Sequence, residues 1–271
     1  MIFPGARPIK KDRRDFKLSD IQLGGLGISL IPDFSFAGKI KNQFLSDFCT
    51  AFAVTSASEI QEGVELSPEY QFAKTKQLLG EYKKWGADLR TAIKSALKFG
   101  SLNIKEVSSE MKIAERDTIA NWKNWDGALD VLAEQHKKKS YFSVNNSFEA
   151  LITAMYDNRE VVLTGANWRQ EWTSAKKGII PLNYGNYGVG HAFILTGKKT
   201  INDKVYIEAQ HSGGESVGDK GLFYFSKEII EKEIGKYGVF ILVDYPDGMY
   251  KEIHWTFWTK VYDFIIKFLK K

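Results

Sequence analysis

The spacing of apolar residues divides the chain into a helical first half and a strand-rich second half. In the first half, apolar residues recur at steps of three and four, which is the period of a helix with one buried face. Start and stop residues mark several helix ends, such as Ser67-Pro68-Glu69 before one helix and Gly100 after another. Helices are predicted over residues 49–61, 67–79, 88–99, 127–135 and 148–156.

Short runs of β-branched and aromatic residues, separated by turn residues, characterise the second half. Strands are predicted over residues 161–164, 192–196, 205–209, 222–225 and 239–243. Because helices come first and strands second, the pattern favours an α+β fold rather than alternating βαβ units. A helical lobe over about 40–140 is expected to face an antiparallel β-sheet or barrel lobe over about 141–248, with an extended N-terminal segment laid over the body.

Composition and charge narrow the class of protein. The 271 residues include enough apolar side chains for a globular core, and the net charge of +5 is spread along the chain. No arginine-rich arm or basic stripe is present, so no nucleic-acid partner is expected. One cysteine allows no internal disulfide, and the opening residues lack the layout of a signal peptide. A cytoplasmic location, or incorporation into a particle, is therefore expected.

Residues 249–271 form a separate amphipathic pattern at the end of the chain. Charges at Lys260, Asp263, Lys267 and Lys270 fall on one helical stripe, which leaves a broad apolar face on the predicted helix. The charges interrupt the pattern too often for a transmembrane span. Three interpretations stay open: the helix packs on its own domain, docks on a partner protein, or lies in a membrane interface.

The only cysteine, Cys49, opens the first predicted helix, and Gln43 stands six residues before it. A helix N-terminus favours a thiolate, and a nearby amide can donate to an oxyanion, so these residue types suit acyl transfer. The alternative is that Cys49 is a small buried apolar residue, since an apolar run follows it. Ser46 or Asp47 is predicted to cap this helix.

A cysteine nucleophile needs a base, and the chain has four histidines. His136 lies at a lysine-rich helix end and His254 lies in the tail, so both are interpreted as surface residues. His191 begins a predicted strand after a glycine-rich approach, where its ring can stand at the rim of the sheet. It also follows Cys49 at the separation of roughly 130–150 residues that is typical of one class of cysteine peptidase. His191 is therefore the predicted base.

Four segments, in order along the chain, resemble the papain-like cysteine peptidases of the C1 family. Residues 42–53 resemble the family's N-Q-G-x-C-G-S-C-W-A-F motif, and residues 66–69 resemble its L-S-P-Q helix start. Residues 190–192 match its G/D-H-A, and residues 210–221 resemble its Q-N-S-W-G-x-x-W-G-x-x-G. Ordered agreement at spaced segments is more specific than any one motif.

The resemblance implies a two-lobe papain-like fold that hydrolyses a peptide or protein substrate without a cofactor or metal ion. It makes Cys49 the nucleophile and His191 the base, with Gln43 stabilising the oxyanion. Gly86 aligns with the glycine edge on which an extended substrate adds as a strand, and a plain helix-entry turn is the alternative. His211 stands at the position of the asparagine that orients the base.

The missing asparagine is the largest departure from the family's pattern. A neutral His211 can accept a hydrogen bond from His191 and complete a triad, but a protonated His211 cannot. Gln210 is the neighbouring amide, and it takes this role only if the match with the family's motif shifts by one residue. Losing an orienting residue can cost on the order of 10⁴ in turnover without changing the fold.

Three further departures concern the surroundings of the site. The family's tryptophans align with Thr50, Gly213 and Val217, so no aromatic cover over the histidine pair is predicted and a wetter site is expected. The charge of Asp47 is expected to oppose a thiolate if it lies close to the sulfur. The residues before Cys49 are few and align with the mature domain, so no inhibitory pro-segment is predicted.

The sequence leads to two main hypotheses. The first is a papain-like cysteine peptidase acting through Cys49 and His191. The second is a catalytically impaired papain-fold protein that serves as a binding or structural component of a larger assembly such as a virion, docked through its tail. A cell-wall amidase with a Cys–His pair is a third possibility, but it leaves Gln43 and the run at residues 218–221 unexplained.

Overall fold

The computed structural model describes residues 5–10, 12, 15, 17–18, 27–185 and 187–244. Within these residues most helices precede residue 160 and the long strands follow it, so the predicted α+β class is confirmed. The predicted tail helix, residues 249–271, lies outside the described residues. In the described part of the chain, no helix is both long enough and apolar enough to cross a bilayer.

Nine α-helices lie within the described residues. In chain order they are α1 (Cys49–Glu62), α2 (Pro68–Leu79), α3 (Leu89–Phe99), α4 (Ser109–Ile113), α5 (Arg116–Ala120), α6 (Ala128–Ala133), α7 (Phe148–Asn158), α8 (Gln170–Thr173) and α9 (Lys227–Glu233). Ser67 caps α2 by accepting the Tyr70 N–H, and Asp88 caps α3 by accepting the Thr91 N–H. Such local caps made these two helix starts predictable.

The start of α1 differs from the prediction. Its N-cap is Phe48, which makes no side-chain cap, rather than Ser46 or Asp47. The Ser46 hydroxyl donates to the Gln43 carbonyl, and the Asp47 carboxylate binds groups elsewhere in the fold. Both side chains are thus occupied, and the first turn of α1 has no side-chain cap.

Nine strands form two sheets within the described residues. They are β1 (Ala6–Arg7), β2 (Phe34–Ser35), β3 (Ala87–Asp88), β4 (Ser140–Ser143), β5 (Val162–Trp168), β6 (Val189–Ile201), β7 (Lys204–Gln210), β8 (Leu222–Phe225) and β9 (Val239–Val243). Seven make an open antiparallel sheet in the order β4-β9-β5-β6-β7-β8, with β2 paired to β6. β1 and β3 pair in parallel as a separate two-stranded sheet.

The strand β6 contacts both lobes, because side chains along a strand alternate between the two faces of a sheet. Phe193 and Leu195 lie in the core of the β lobe. Ala192 and Ile194 belong to a second apolar cluster, which also contains Cys49 and other residues of α1. This packing of α1 on β6 places the start of the cysteine helix beside the start of the histidine strand.

The Phe193→Ala substitution is expected to destabilise the fold by about 3–5 kcal/mol, since truncation of a core phenylalanine loses apolar burial and leaves a cavity. Phe193 is 2% exposed, and its ring stacks on Phe225 at 5.5 Å. Urea unfolding measures the loss. Tyr187→Ala, at a side chain that is 85% exposed, is the control and should change stability by less than about 0.5 kcal/mol. Equal effects at the two positions would contradict the assigned core.

Candidate active site

Cys49 is the first residue of α1 and is completely buried. Burial raises the pKa of its thiol to about 12, and the charge of Asp47 adds to the rise. The nearby backbone N–H groups of Ala192, Thr50 and Gly5 act in the opposite direction and lower this pKa. In the described conformation Cys49 is therefore a neutral thiol at physiological pH. The predicted opposition of Asp47 to a thiolate is confirmed.

His191 lies near the start of β6 and His211 follows β7, and their ring centroids are 4.4 Å apart. Burial lowers the pKa of His191 to about 3, and burial together with the nearby His191 keeps the pKa of His211 well below its usual range. Both rings are therefore neutral. Their nitrogen atoms have no hydrogen-bond partner among the described residues, so His191 is bonded neither to Cys49 nor to His211. The thiolate–imidazolium pair and the predicted triad are not formed in this conformation.

Trp168, on β5, packs against both histidine rings. Its ring centroid lies 5.5 Å from that of His191 and 4.2 Å from that of His211. The expectation of a wetter site without an aromatic cover is therefore wrong for this conformation. A tryptophan outside the segments that resemble the family contacts the pair instead, because β5 and β6 are neighbours in the sheet.

Gln43 is held beside the start of α1 by bonds at both ends of its amide. Its Nε2 donates to the Ser46 carbonyl at 2.8 Å, and its Oε1 accepts from the Ser212 hydroxyl at 2.6 Å. Its backbone N–H also donates to the Ser212 carbonyl at 2.9 Å. An amide NH₂ group has two hydrogen atoms, so the bond to Ser46 leaves one for an oxyanion.

Gln210 does not orient His191 in this structure. Its Oε1 accepts from the Gly38 N–H at 2.7 Å, and its Nε2 donates to the Lys39 carbonyl at 3.0 Å. Both ends of the amide thus hold the segment before Gln43. The alternative assignment of the orienting role to Gln210 has no support in these contacts.

The buried carboxylate of Asp47 connects the start of α1 to residues 82–86, which we call the rim loop. Arg116 donates to this carboxylate from Nε at 3.1 Å and from Nη2 at 2.9 Å, and the Gly86 N–H donates to it as well. Arg116 also donates to the carbonyls of Tyr82 and Lys84 in the rim loop. One ion pair therefore fixes the rim loop relative to Cys49.

Residues 5–7 lie across the site, between the rim loop and the start of β6. The Gly5 N–H donates to the Gly190 carbonyl at 3.1 Å, and the Gly5 carbonyl accepts the Ala87 N–H at 2.8 Å. A Cβ atom added at Gly5 would lie 2.7 Å from the Cys49 sulfur, so only glycine fits there. The chain thus adds its own strand next to Gly86, and this strand belongs to the segment that the sequence analysis aligned with the mature domain.

Arg7 holds this segment through its side chain. The guanidinium donates to the Glu81 carboxylate at 2.6 Å, to the Trp85 carbonyl at 2.9 and 2.7 Å, and to the Lys84 carbonyl at 3.2 Å. We call these three acceptors the Arg7 site. Charge-assisted bonds of this kind are stronger than neutral ones, so Arg7 is the main side-chain attachment of the segment.

Sequence reasoning brought together Cys49, Gln43, His191 and His211, but it missed three other residues at the site. Ser212 was within reach, because it follows His211 inside a quoted motif. Trp168 and Arg116 lie on segments remote from every motif, and only strand pairing and tertiary packing bring them to the site. In the described residues, no group of three or more His, Cys, Asp or Glu side chains is placed to hold a metal ion.

Solved structures resemble the chain in fold, although its sequence matches no protein-family model and no curated protein. Xylellain, a cysteine protease from Xylella fastidiosa, shares 20% identity over 90% of this chain and 96% of its own, with a TM-score of 0.73. A procathepsin B from Trypanosoma congolense shares 12% identity over 89% of this chain and 83% of its own, with a TM-score of 0.63. The chain therefore has a papain-like fold with a divergent sequence.

Stability is expected to fall as the pH falls from about 6.5 toward about 3, since unfolding frees the buried histidines to bind protons. Each such histidine contributes a slope of up to about 1.4 kcal/mol per pH unit. In the His211→Leu variant, the free energy of unfolding should change less steeply with pH, because one of the two buried histidines is gone. Urea unfolding at a series of pH values measures this slope. Phe223→Leu, beside His211, is the control, and the loss of stability that it causes should not vary with pH. An unchanged slope in His211→Leu would contradict the prediction.

The Arg116→Gln substitution is expected to destabilise the protein by about 3–5 kcal/mol, because it leaves the Asp47 carboxylate as an unpaired buried charge. Adding Asp47→Asn should recover part of the loss, since the double variant buries no charge at this place. Urea unfolding of the single and double variants measures both effects. If Arg116→Gln is as stable as the parent protein, the ion pair does not hold the rim loop.

Proposed function

We propose that the protein is a papain-like cysteine peptidase that hydrolyses peptide bonds through Cys49 and His191, and that the described conformation is its latent form. One observation carries the proposal. An extended segment of the chain crosses the Cys49 thiol and adds as a strand beside Gly86, so the groove accepts a peptide backbone at the sulfur. The papain-like fold supports the same class of reaction.

Displacement of residues 5–7 opens the Cys49 thiol, against which Gly5 lies, to water. Activation also requires that the His191 ring, which packs on Trp168 and His211, becomes hydrated and reaches the sulfur. Burial is the largest cause of the raised pKa of Cys49 and of the lowered pKa of His191. Hydration therefore moves the two pKa values toward each other, and proton transfer from the thiol to the imidazole becomes more favourable. Latency and activation then have one physical cause, which is the access of water to the pair.

In the open form, His191 takes the proton of Cys49 and the sulfur attacks the carbonyl carbon of the substrate. Gln43 and the Cys49 backbone N–H donate hydrogen bonds to the oxygen that becomes negative. The carbon–nitrogen bond breaks as His191 returns the proton to the leaving amine. A water molecule, which gives a proton to the same imidazole, then hydrolyses the thioester and regenerates the thiol.

A second candidate is a catalytically impaired papain-fold protein that serves as a binding or structural component of a larger assembly such as a virion. The absence of hydrogen-bond partners for the His191 and His211 rings, within the residues described, favours this candidate. A base without an orienting partner is a poor catalyst. Docking of residues 249–271 on another protein belongs to this second proposal.

The two candidates differ in how Cys49 reacts with a peptidyl vinyl sulfone. The Arg7→Ser variant is expected to be labelled about 10-fold faster or more than the parent protein, because loss of charged hydrogen bonds worth about 1.5–3 kcal/mol releases the segment. Mass spectrometry locates and quantifies the label. Lys10→Ser removes the same charge from an exposed side chain nearby and should leave the rate unchanged.

A Cys49→Ala variant provides the background for this labelling. If Arg7→Ser protein is not labelled at Cys49 at any value from about pH 5 to 8, the peptidase proposal is excluded and the second candidate stands. Equal acceleration in Lys10→Ser would instead contradict the role given to Arg7 in holding the segment.

A further inference from the structure

The contacts of Arg7 match the shape of an arginine side chain. All three nitrogen atoms of its guanidinium donate hydrogen bonds, and they reach three acceptors that surround it. A lysine ammonium is a single point donor and cannot reach all three acceptors at once. The side chain of Arg7 is 23% exposed and that of Glu81 is 34% exposed, so the pair is partly removed from water.

The backbone of the Arg7 site is fixed by cations other than Arg7. Lys76, whose side chain is fully buried, donates from Nζ to the Gly86 carbonyl at 2.6 Å and to the Lys84 carbonyl. Arg116 donates to the Lys84 carbonyl at 2.9 Å. These bonds do not involve residue 7, so the Lys84 carbonyl and the neighbouring Gly86 carbonyl remain bonded when Arg7 leaves. Burial and the positive charges of Arg7 and Arg116 lower the pKa of Lys76, and the negative charges of Asp47 and Glu81 partly offset this effect.

The spacing of the segment relates the Arg7 site to the nucleophile. Gly5 lies against the Cys49 sulfur, and Arg7 is two residues further along the same extended segment. Residues i and i+2 of an extended chain face the same side. The segment runs parallel to β3, so Arg7 comes after Gly5 in its direction. A substrate that replaces the segment and runs in the opposite direction along the same edge therefore brings the side chain two positions before the residue at the sulfur to the Arg7 site.

We propose that the Arg7 site is a specificity subsite, which binds an arginine side chain of the substrate at the third residue before the scissile bond. This inference rests on the proposed function, and it adds that the acyl part of the substrate lies along Gly86 in the direction opposite to that of residues 5–7. The chain's own Arg7 occupies the subsite in the latent form, and a substrate arginine takes its place in the open form. Glu81 is the residue that determines the preference for a positive charge.

A protection experiment tests the subsite without requiring turnover. The full chain carrying Arg7→Ser is alkylated at Cys49 with iodoacetamide in the presence of Ac-Arg-Ala-Gly-amide or its citrulline counterpart, which has the same shape without the charge. The arginine peptide is expected to halve the alkylation rate at a concentration about 10-fold lower than the citrulline peptide. Glu81→Gln should bring this ratio toward one. Glu231→Gln, at an exposed ion pair on α9, is the matched control and should leave the ratio unchanged.

Each outcome bears on one proposal. Equal protection by the two peptides, or a ratio that is the same in Glu81→Gln and the parent background, overturns the subsite. Fluorogenic versions of the two peptides, with a coumarin amide after the glycine, report on catalysis separately. Selective protection by the arginine peptide without release of coumarin overturns the peptidase proposal and leaves the subsite as a peptide-binding feature. Faster hydrolysis of the arginine substrate supports both.

Discussion

The buried carboxylate of Asp47 is the constraint on which the site depends. A buried charge persists in a fold only when an opposite charge and hydrogen bonds compensate for the water it has lost. Arg116 and the Gly86 N–H provide this compensation, and both belong to the structure that carries the rim loop. The distance between Cys49 and the edge at Gly86 is therefore set by an ion pair. In a chain with a single cysteine, this connection is independent of the redox state of its surroundings.

Cys49 and His191 are both uncharged for the same physical reason. Cys49 and His191 are both fully excluded from water, and exclusion favours the neutral form of an acid and of a base alike. The protein therefore needs no separate device to suppress each group. The aromatic contact of Trp168 adds to this exclusion, since it covers the histidine pair from within the β lobe.

Features encoded locally in the sequence were predictable, and those created by packing were not. Ser67 and Asp88 act within one helical turn, so their helices could be placed from the sequence alone. The order of motifs brought Cys49, His191 and His211 to one place, because the resemblance extends over most of the chain. The ionisation of these residues depends on burial, which motifs do not encode.

The errors have equally specific physical causes. The capping role given to Asp47 failed because a distant arginine competes for its carboxylate. β4 escaped prediction because only two of its four residues are aromatic, whereas all four residues of the predicted strand β8 are apolar or aromatic, and its pairing partner β9 is distant in sequence. In the segment at residues 5–7, Gly5 is the one residue whose type reflects contact with the thiol, because its missing side chain makes room for the sulfur. A single glycine is too common a residue to predict such a contact from the sequence.

The attachment of residues 5–7 to the same chain makes binding to the groove a competition between unequal partners. A tethered segment acts at an effective concentration in the range of mM for a short flexible connection, and this value does not change when the protein is diluted. A free peptide at a lower concentration must exceed the segment in affinity by the ratio of the two concentrations. Dilute peptides are thus excluded even when they fit the groove well. A partner protein that holds a target chain near the groove would raise the local concentration of that chain and remove this disadvantage.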